Sequence, residues 1–564
     1  EQLATRAVKV VDAADLPLEW FGYESIDTLV LNSSQPELYR PLTASPQRID
    51  ALVRWVELGG RVVIFCGANA PELIGPDGPL APLIPGKFDT LAPLRETQPI
   101  ESFVPSEAAL TINRETQLQV PQLTDVQGQI LAFAGQNPTD LPLVIRARRG
   151  LGEVTFIGLE PDAAPLADWQ GRVNLLRLAL QWPTTAAADG ASGNYGQEED
   201  LIDRLRRALD GSFVGVKTAP FALVALLVLL YILLIGPGDY FFVKRVLKRM
   251  ELTWITFPLI VAAVSTAAYW AAHYMKGDQL RVNQVEIVDV DLSTGRARGT
   301  VWTHFFSPRV ERYNLTLAPQ FGDEPVSNHQ SLVAWLGATG AGLDGMRGRT
   351  QTGLFERGYD FSPPLDALLD LPVQEWSTKT LVGRWSAELI EPIDAKLEGL
   401  DDDQLAGHLT NRTGVELQDC LLMHGNLAYR LPNLADGAVA TIDESLQPST
   451  VKTALTNAEA GFDIGGSPAE VASNRLDSNT TDVNRLAIAM MFHEAVGGAE
   501  FAQSPNRYQA FTDLSRLLQG DQAILLARVE VPGSQWTDGE SSLASNQDRR
   551  WVYYRFVIPL QEAE

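Results

Sequence analysis

TAPFALVALLVLLYILLIGPG, residues 218–238, and LTWITFPLIVAAVSTAAYWAAHYM, residues 252–275, decide how this chain is organised. The first run holds 21 uncharged residues between Lys217 and Asp239, and the second holds 24 between Glu251 and Lys276. At about 1.5 Å of helical rise per residue, each spans roughly the 30 Å of a bilayer core. Pro220 sits near the start of the first run, where a missing N–H is harmless, and Gly236-Pro237-Gly238 is expected to end that helix. Trp254 near one end of the second run, and Tyr269, Trp270 and Tyr274 near the other, suit interfacial anchors. Two such runs a dozen residues apart favour a transmembrane hairpin over a pair of buried core helices. Residues 239–251 then form its loop, with Lys244, Arg245, Lys248 and Arg249 against Asp239 and Glu251. Basic residues beside helix ends stay in the cytoplasm, so these four are the topology-determining residues. What lies on either side of the hairpin faces outward, which in a diderm bacterium means the periplasm. Ala262, Ala263, Ser265, Ala267 and Ala268 permit close helix packing, against the first helix or another subunit.

The chain has 564 residues, too many for one core, and its hydrophobic and charged contents of 45% and 20% are those of globular protein. A net charge of −25 argues against a nucleic-acid partner. From residue 277 onward, 22 Lys and Arg face 40 Asp and Glu, which accounts for −18 of it. That half should be soluble and repelled by anionic headgroups. Cys66 and Cys420 make neither a disulfide framework nor a metal box. Residue 1 is Glu within ordinary sequence, so the numbering is expected to start inside a longer or processed chain.

Residues 1–184 read as an α/β unit. Asp27–Asn32 is a short apolar strand. Ser45-Pro46 opens a helix whose Ile49, Leu52, Val53, Val56 and Leu58 share a face, Gly59-Gly60 stops it, and Arg61–Phe65 is a second buried strand. Strand, helix, strand at this spacing makes a parallel unit. Leu143–Arg148 and Glu153–Ile157 form a hairpin, and a last helix ends near Trp182. Residues 75–140 are expected to be a β-rich insertion. Thr184–Gln197 reads as a flexible tether within a linker over 185–217. Glu198–Leu209 is an amphipathic helix, either lying at the membrane interface or packed on a soluble unit.

From Gln284 the pattern turns to strands: QVEIVDVD, ARGTVWTHFF, RYNLTLAP, then Thr380–Leu389, Gln404–Leu409, Gln418–His424, Leu427–Leu431, Ala523–Val531 and Trp551–Ile558. Residues 276–564 are therefore expected to be mainly β, of sandwich type and in two lobes, with two added helices at Val483–Val496 and Ala510–Leu518. Four features imitate sites. Asp289-Val-Asp291-Leu-Ser293 resembles half a calcium loop but has Thr300 where the closing Glu belongs. Asp401-Asp402-Asp403 suits a solvated turn. The Gly-rich run from Gly337 to Gly342 lacks the strand and helix that aim N–H groups at phosphate. His493-Glu494 lacks a second histidine one turn on. None forms a catalytic, cofactor-binding or metal site, so no cofactor is expected.

DTLVLNSS, RVVIFCGAN and VTFIGLEPD together resemble the class I glutamine amidotransferase-like fold. The resemblance implies a flavodoxin-like parallel sheet, with Cys66 at the position of the family's nucleophile and Glu160 at that of its acid. Ile64 and Ala68 replace the glycines of the nucleophile elbow, and Gly158 replaces the base. The chain has no histidine before His273, so a nucleophile without a base points to a degenerate, non-enzymatic unit. Over most of its length the chain resembles an uncharacterised family of large bacterial inner-membrane proteins. The segments that carry this are YILLIGPGDYFFVKRVLKRMELTWITFPLI, VNQVEIVDVDLSTGRARGTVW, LPVQEWSTKTLVGRW and HLTNRTGVELQDCLL. That family resembles products encoded beside MoxR-type AAA ATPases and von Willebrand factor A-domain proteins. It implies an accessory subunit or scaffold of an envelope complex, whose partners are the lipid bilayer, such proteins, or copies of itself. The alternatives are a periplasmic ligand-binding or sensory module that uses the degenerate cleft, and a cysteine-dependent enzyme that uses Cys66.

Overall fold

The structure is a computed structural model describing residues 7–112, 118–181, 199–211, 213, 221–276, 279–337, 358–400, 403–443, 445–456, 475–543 and 548–561. The tether at Thr184–Gln197, the Gly-rich run from 338 onward, and Asp401 and Asp402 lie outside these residues.

The first unit is built on β1 (Leu29–Asn32), β2 (Arg61–Phe65), β3 (Lys87–Pro93), β4 (Gln119–Thr124), β5 (Gln129–Phe133), β6 (Pro142–Arg149) and β7 (Gly152–Ile157). Its main sheet runs β1-β2-β7-β6-β5. β1, β2 and β7 are parallel, as the strand–helix–strand spacing predicts, with Leu29 opposite Val62 and Arg61 opposite Glu153. β6 and β5 are antiparallel, so the sheet is mixed rather than flavodoxin-like and wholly parallel. The cause is local: Gly150 takes φ +61° and returns the chain at once, whereas a parallel partner needs a long crossover. The helix Pro46–Glu57 buries Ile49, Leu52, Trp55 and Val56 on one face of the sheet. Arg172–Ala179 packs Leu175 and Ala179 on the other. The segment expected as a β-rich insertion contains the β3–β4 pair, a helix at Gln98–Phe103, and β5, which joins the main sheet.

The second unit centres on a nine-stranded mixed sheet, in which β8 (Arg281–Asp291) pairs with β9 (Arg296–Ser307) on one side and in parallel with Arg549–Pro559 on the other. Alternate residues of β8 enter two separate cores. Val282, Val288 and Val290 face one, and Val285 and Ile287 face the other. Five- and three-stranded sheets contribute to the first core, giving the expected sandwich packing. The second core is covered by helices, which form a full layer rather than a small addition. Leu201–Asp210 belongs to that layer, with Leu201, Ile202, Leu205 and Leu209 buried, and Leu201 N–H donates to Pro505 O at 3.0 Å. This settles the two readings of that amphipathic helix, because its apolar stripe is used inside the protein. The helix expected over Val483–Val496 breaks at Phe492, and Ala510–Leu518 forms two short 3₁₀ turns, Ala510–Thr512 and Ser515–Gln519, instead of one helix.

Two helices are long and apolar enough to cross a membrane, Val224–Val246 and Met250–Ala271. The first does not stop at Gly236-Pro237-Gly238. It widens there into a π-type turn, Leu234–Gly238, and continues through Asp239–Phe242 to Leu247. An i to i+5 turn gives the proline ring room over the preceding carbonyls, and Gly238 helps because a Cβ there would lie 3.0 Å from Leu233 O. The connection is therefore far shorter than residues 239–251: it turns at Lys248, whose φ is +55°.

Candidate functional site

The carboxyl edge of the parallel strands gathers Ser33, Cys66 and Glu160, so the two residues singled out by the amidotransferase resemblance do meet in space. Cys66 follows β2 and Glu160 follows β7. Ser33 Oγ joins them, donating to Glu160 Oε1 and accepting from Gly67 N–H at 3.0 Å. Asn69 Nδ2 donates to Ser33 O at 2.9 Å and closes the turn. Cys66 is 1% exposed, and burial pushes its thiol up to about 12. The polar neighbours that bear on the thiol are Ser33, Glu160 and Tyr39, and none of them is a histidine. Gly158, at the expected place of that base, packs toward Val120 Cγ1. Chemically this edge is a satisfied hydrogen-bond cluster beneath a buried thiol.

A second constellation lies where the two soluble units meet. Arg296 Nε donates to Glu57 Oε2 at 2.7 Å, and Arg384 pairs with Glu24. Arg298 donates to Asp289 Oδ2 at 2.8 Å, to Leu58 O, and to Phe511 O at 2.8 Å. Arg54 reaches Gln330 Oε1 at 2.6 Å. Asp289 also receives Arg555 Nε at 2.6 Å. Burial alone raises the Asp289 carboxyl, but the guanidinium groups of Arg555 and Arg298 outweigh it and hold the group below its ordinary value. Asp291, the other half of the apparent calcium loop, accepts Thr294 N–H at 2.9 Å and Ser293 Oγ at 2.7 Å in a plain hairpin turn. His493 contacts Ser504 O at 3.2 Å, and Glu494 pairs with Arg516, so this pair too has structural partners. Among the described residues, no three His, Cys, Asp or Glu side chains are placed to share a metal ion.

Beside these contacts the seam opens into a cleft of about 370 Å³. Trp20, Trp55, Arg61 and Arg148 line it from the first unit, and Phe511 and Arg516 from the second. Nothing in the sequence marks these positions. Arg61 and Arg148 stand at strand ends, where a charged residue reads as solvated, and the opposite wall comes from more than 300 residues away in the chain.

At the hairpin, Lys244 and Arg245 occupy the last turn of the first helix, Lys248 makes the reversal, and Arg249 precedes the turn Met250–Leu252. Lys244 Nζ donates to Tyr240 OH at 2.9 Å. All four cations thus cluster at one end of the helical pair. Trp254 projects near that end, 87% exposed, and Tyr269, Trp270 and Tyr274 are exposed toward the other. Ala262, Ala263, Ser265, Ala267 and Ala268 are exposed as well, so the first helix does not use that face. Because the first helix runs through Asp239, the span carries one carboxylate where the sequence suggested none. Asp239 is 3% exposed, and its Oδ1 has no hydrogen-bond partner.

Residues 392–508 match a family described as a domain of unknown function (DUF8725). No curated protein matches the chain. Among solved structures, a cytoplasmic protein from Salmonella typhimurium LT2 aligns at 14% identity over 30% of this chain and 77% of its own, with a TM-score of 0.20. An exo-β-1,4-mannosidase from Opitutaceae bacterium strain TAV5 aligns at 17% identity over 28% of this chain and only 25% of its own, with a TM-score of 0.18. The yeast δ-COP-I μ-homology domain complexed with a Dsl1 WxWxV peptide aligns at 8% over 51% of this chain and 97% of its own, with a TM-score of 0.22. Scores this low carry no argument about fold or activity.

Proposed function

We propose that this chain is a membrane-anchored, non-enzymatic scaffold or accessory subunit of a bacterial envelope complex, with both soluble units on the outer face of the inner membrane. One observation carries the reading: only 11% of the most apolar stretch of the first helix and none of that of the second is buried by the rest of the protein, while the large units on either side of the pair are joined by the partly buried ion pairs Arg296–Glu57 and Arg384–Glu24. An apolar surface left bare on that scale needs lipid or another helix to cover it. The cluster of Lys244, Arg245, Lys248 and Arg249 supports a cytoplasmic turn, and through it contact with a cytosolic partner such as a MoxR-type ATPase. The exposed small-residue face of the second helix supports contact with further copies of this chain within the membrane, and von Willebrand factor A-domain proteins are the proposed partners of the soluble units outside it. The satisfied cluster at Ser33 and Glu160 and the burial of the Cys66 thiol, with no histidine beside it, favour this reading over an enzyme.

The test is gentle solubilisation of native membranes with crosslinking. Recovery of a defined partner or of a homo-oligomer is expected, and a monomer that retrieves nothing overturns the proposal. Orientation is tested separately with Ser106→Cys and Ser541→Cys, both on exposed sites, because the native Cys66 and Cys420 are buried. Both new thiols should react with a membrane-impermeant reagent added from outside, and protection of either one rejects the orientation.

A further inference from the structure

The cleft at the seam holds more positive charge than its own acids neutralise. Six arginines line it against the five carboxylates Glu24, Asp27, Glu153, Glu494 and Asp513, and all of these but Asp27 bond to groups other than Arg61 and Arg148. Glu494 takes Arg516 at 3.1 Å, Glu24 takes Arg384, and Glu153 takes Gln181 and lies 3.6 Å from Arg146. Asp513 accepts Ser515 N–H and Glu494 N–H at 2.9 and 3.0 Å. Arg61 and Arg148 are left with backbone oxygens: Arg61 Nε reaches Asp27 O at a long 3.4 Å, and Arg148 Nη2 reaches Arg516 O at 2.5 Å. Among the described residues, neither forms an ion pair with a carboxylate. Both are half-buried. Burial disfavours the charge on each, and the Arg516 guanidinium adds to that at Arg61, while Glu153, Asp27 and Glu494 at Arg61 and Glu153 and Asp521 at Arg148 act the other way from beyond bonding distance. A half-buried guanidinium with no carboxylate bonded to it directly leaves its planar fork open, and that fork is shaped for two parallel bonds to an oxyanion.

We propose that this cleft binds a small soluble oxyanion, a polyphosphate or polycarboxylate, between Arg61 and Arg148, with Arg516 completing the positive wall. The cavity of about 370 Å³ admits a compound of that size. Trp20 and Trp55 line the same cleft and supply a built-in signal. The ligand touches both soluble units at once, so it bridges the seam. This goes beyond the scaffold reading and stands whether or not a protein partner is found.

The experiment uses the full chain in phosphatidylcholine nanodiscs, titrated with inorganic phosphate, pyrophosphate and citrate, and followed by tryptophan fluorescence and thermal melting. Saturable binding of at least one anion is expected, and preference between pyrophosphate and citrate assigns the ligand class. Arg61→Gln with Arg148→Gln should weaken binding at least tenfold in a chain that still melts cooperatively without ligand. Arg61→Lys, which keeps the charge and loses the fork, should weaken it several-fold, and it decides the matter if the double variant does not fold. The proposal is overturned if none of the anions binds saturably up to 10 mM, or if folded variants bind as tightly as the parent chain.

Discussion

Arg296 donates through Nε to Glu57 Oε2 at 2.7 Å, joining β9 of the second soluble unit to the helix Pro46–Glu57 of the first. Arg298, two residues on along the same strand, repeats the bridge through Leu58 O. With period 2, both side chains leave the same face of β9. The end of a single helix is thus held by one face of a strand that lies beyond the pair of apolar helices in sequence.

Arg298→Ala should destabilise the chain by about 3 kcal/mol or more, since it removes one of the two cations on a buried carboxylate and leaves Leu58 O and Phe511 O without their donor. Chemical denaturation reads the loss. Limited proteolysis should also show the first unit released at lower denaturant than in the parent chain.

Asp289 gives a pH dependence of known sign. Its folded carboxyl is held below the ordinary 3.8 by Arg555 and Arg298, against the opposing effect of burial. The stabilisation is therefore fully present above pH 3.8 and is lost as pH falls through the lower folded value. Acid unfolding of the parent chain should include this component. In Asp289→Asn the chain starts less stable, and its stability should change less over the same acid range.

Gly299→Ala tests packing at the centre of the large sheet. A Cβ there would lie 2.0 Å from Trp385 Nε1, and the same nitrogen donates to the buried Glu286 at 3.2 Å. Overpacking of this kind costs about 1–3 kcal/mol, and displacing the indole also strips a donor from Glu286. The melting temperature should fall, with a change in near-UV dichroism from the moved tryptophan.

Cys66 should resist alkylation at pH 8 in the folded chain and react at an ordinary rate after unfolding. Its thiol is buried and pushed up to about 12, so almost no thiolate is present. Fast labelling of the native chain at Cys66, located by mass spectrometry, contradicts the structural reading of this residue.

Much of the architecture was legible because it depends on local pattern. The parallel β1–β2 pair was visible in the apolar strands on either side of an amphipathic helix, and most strands from Gln284 onward in their alternation. Gly236-Pro237-Gly238 misled because proline rules assume α geometry, and a π-type turn escapes them. The nearness of Cys66 and Glu160 came from a family resemblance. Their link through Ser33 was invisible, since no motif marks a serine 127 residues from its acceptor.

The sequence by itself determined that two segments are long and apolar enough to cross a bilayer, because length and hydropathy are properties of the run itself whatever surrounds it. It also determined that cations gather at one end of the pair. Only the tertiary structure decided that Leu201–Asp210 serves the core rather than the membrane surface, that Asp239 falls inside a span, and that Arg61 and Arg148 meet an opposing wall across a cleft. Each of these depends on which groups become neighbours. Arg298 finds Leu58 O from 240 residues away, and pairing at that distance is fixed by the packing of whole sheets rather than by any stretch of chain.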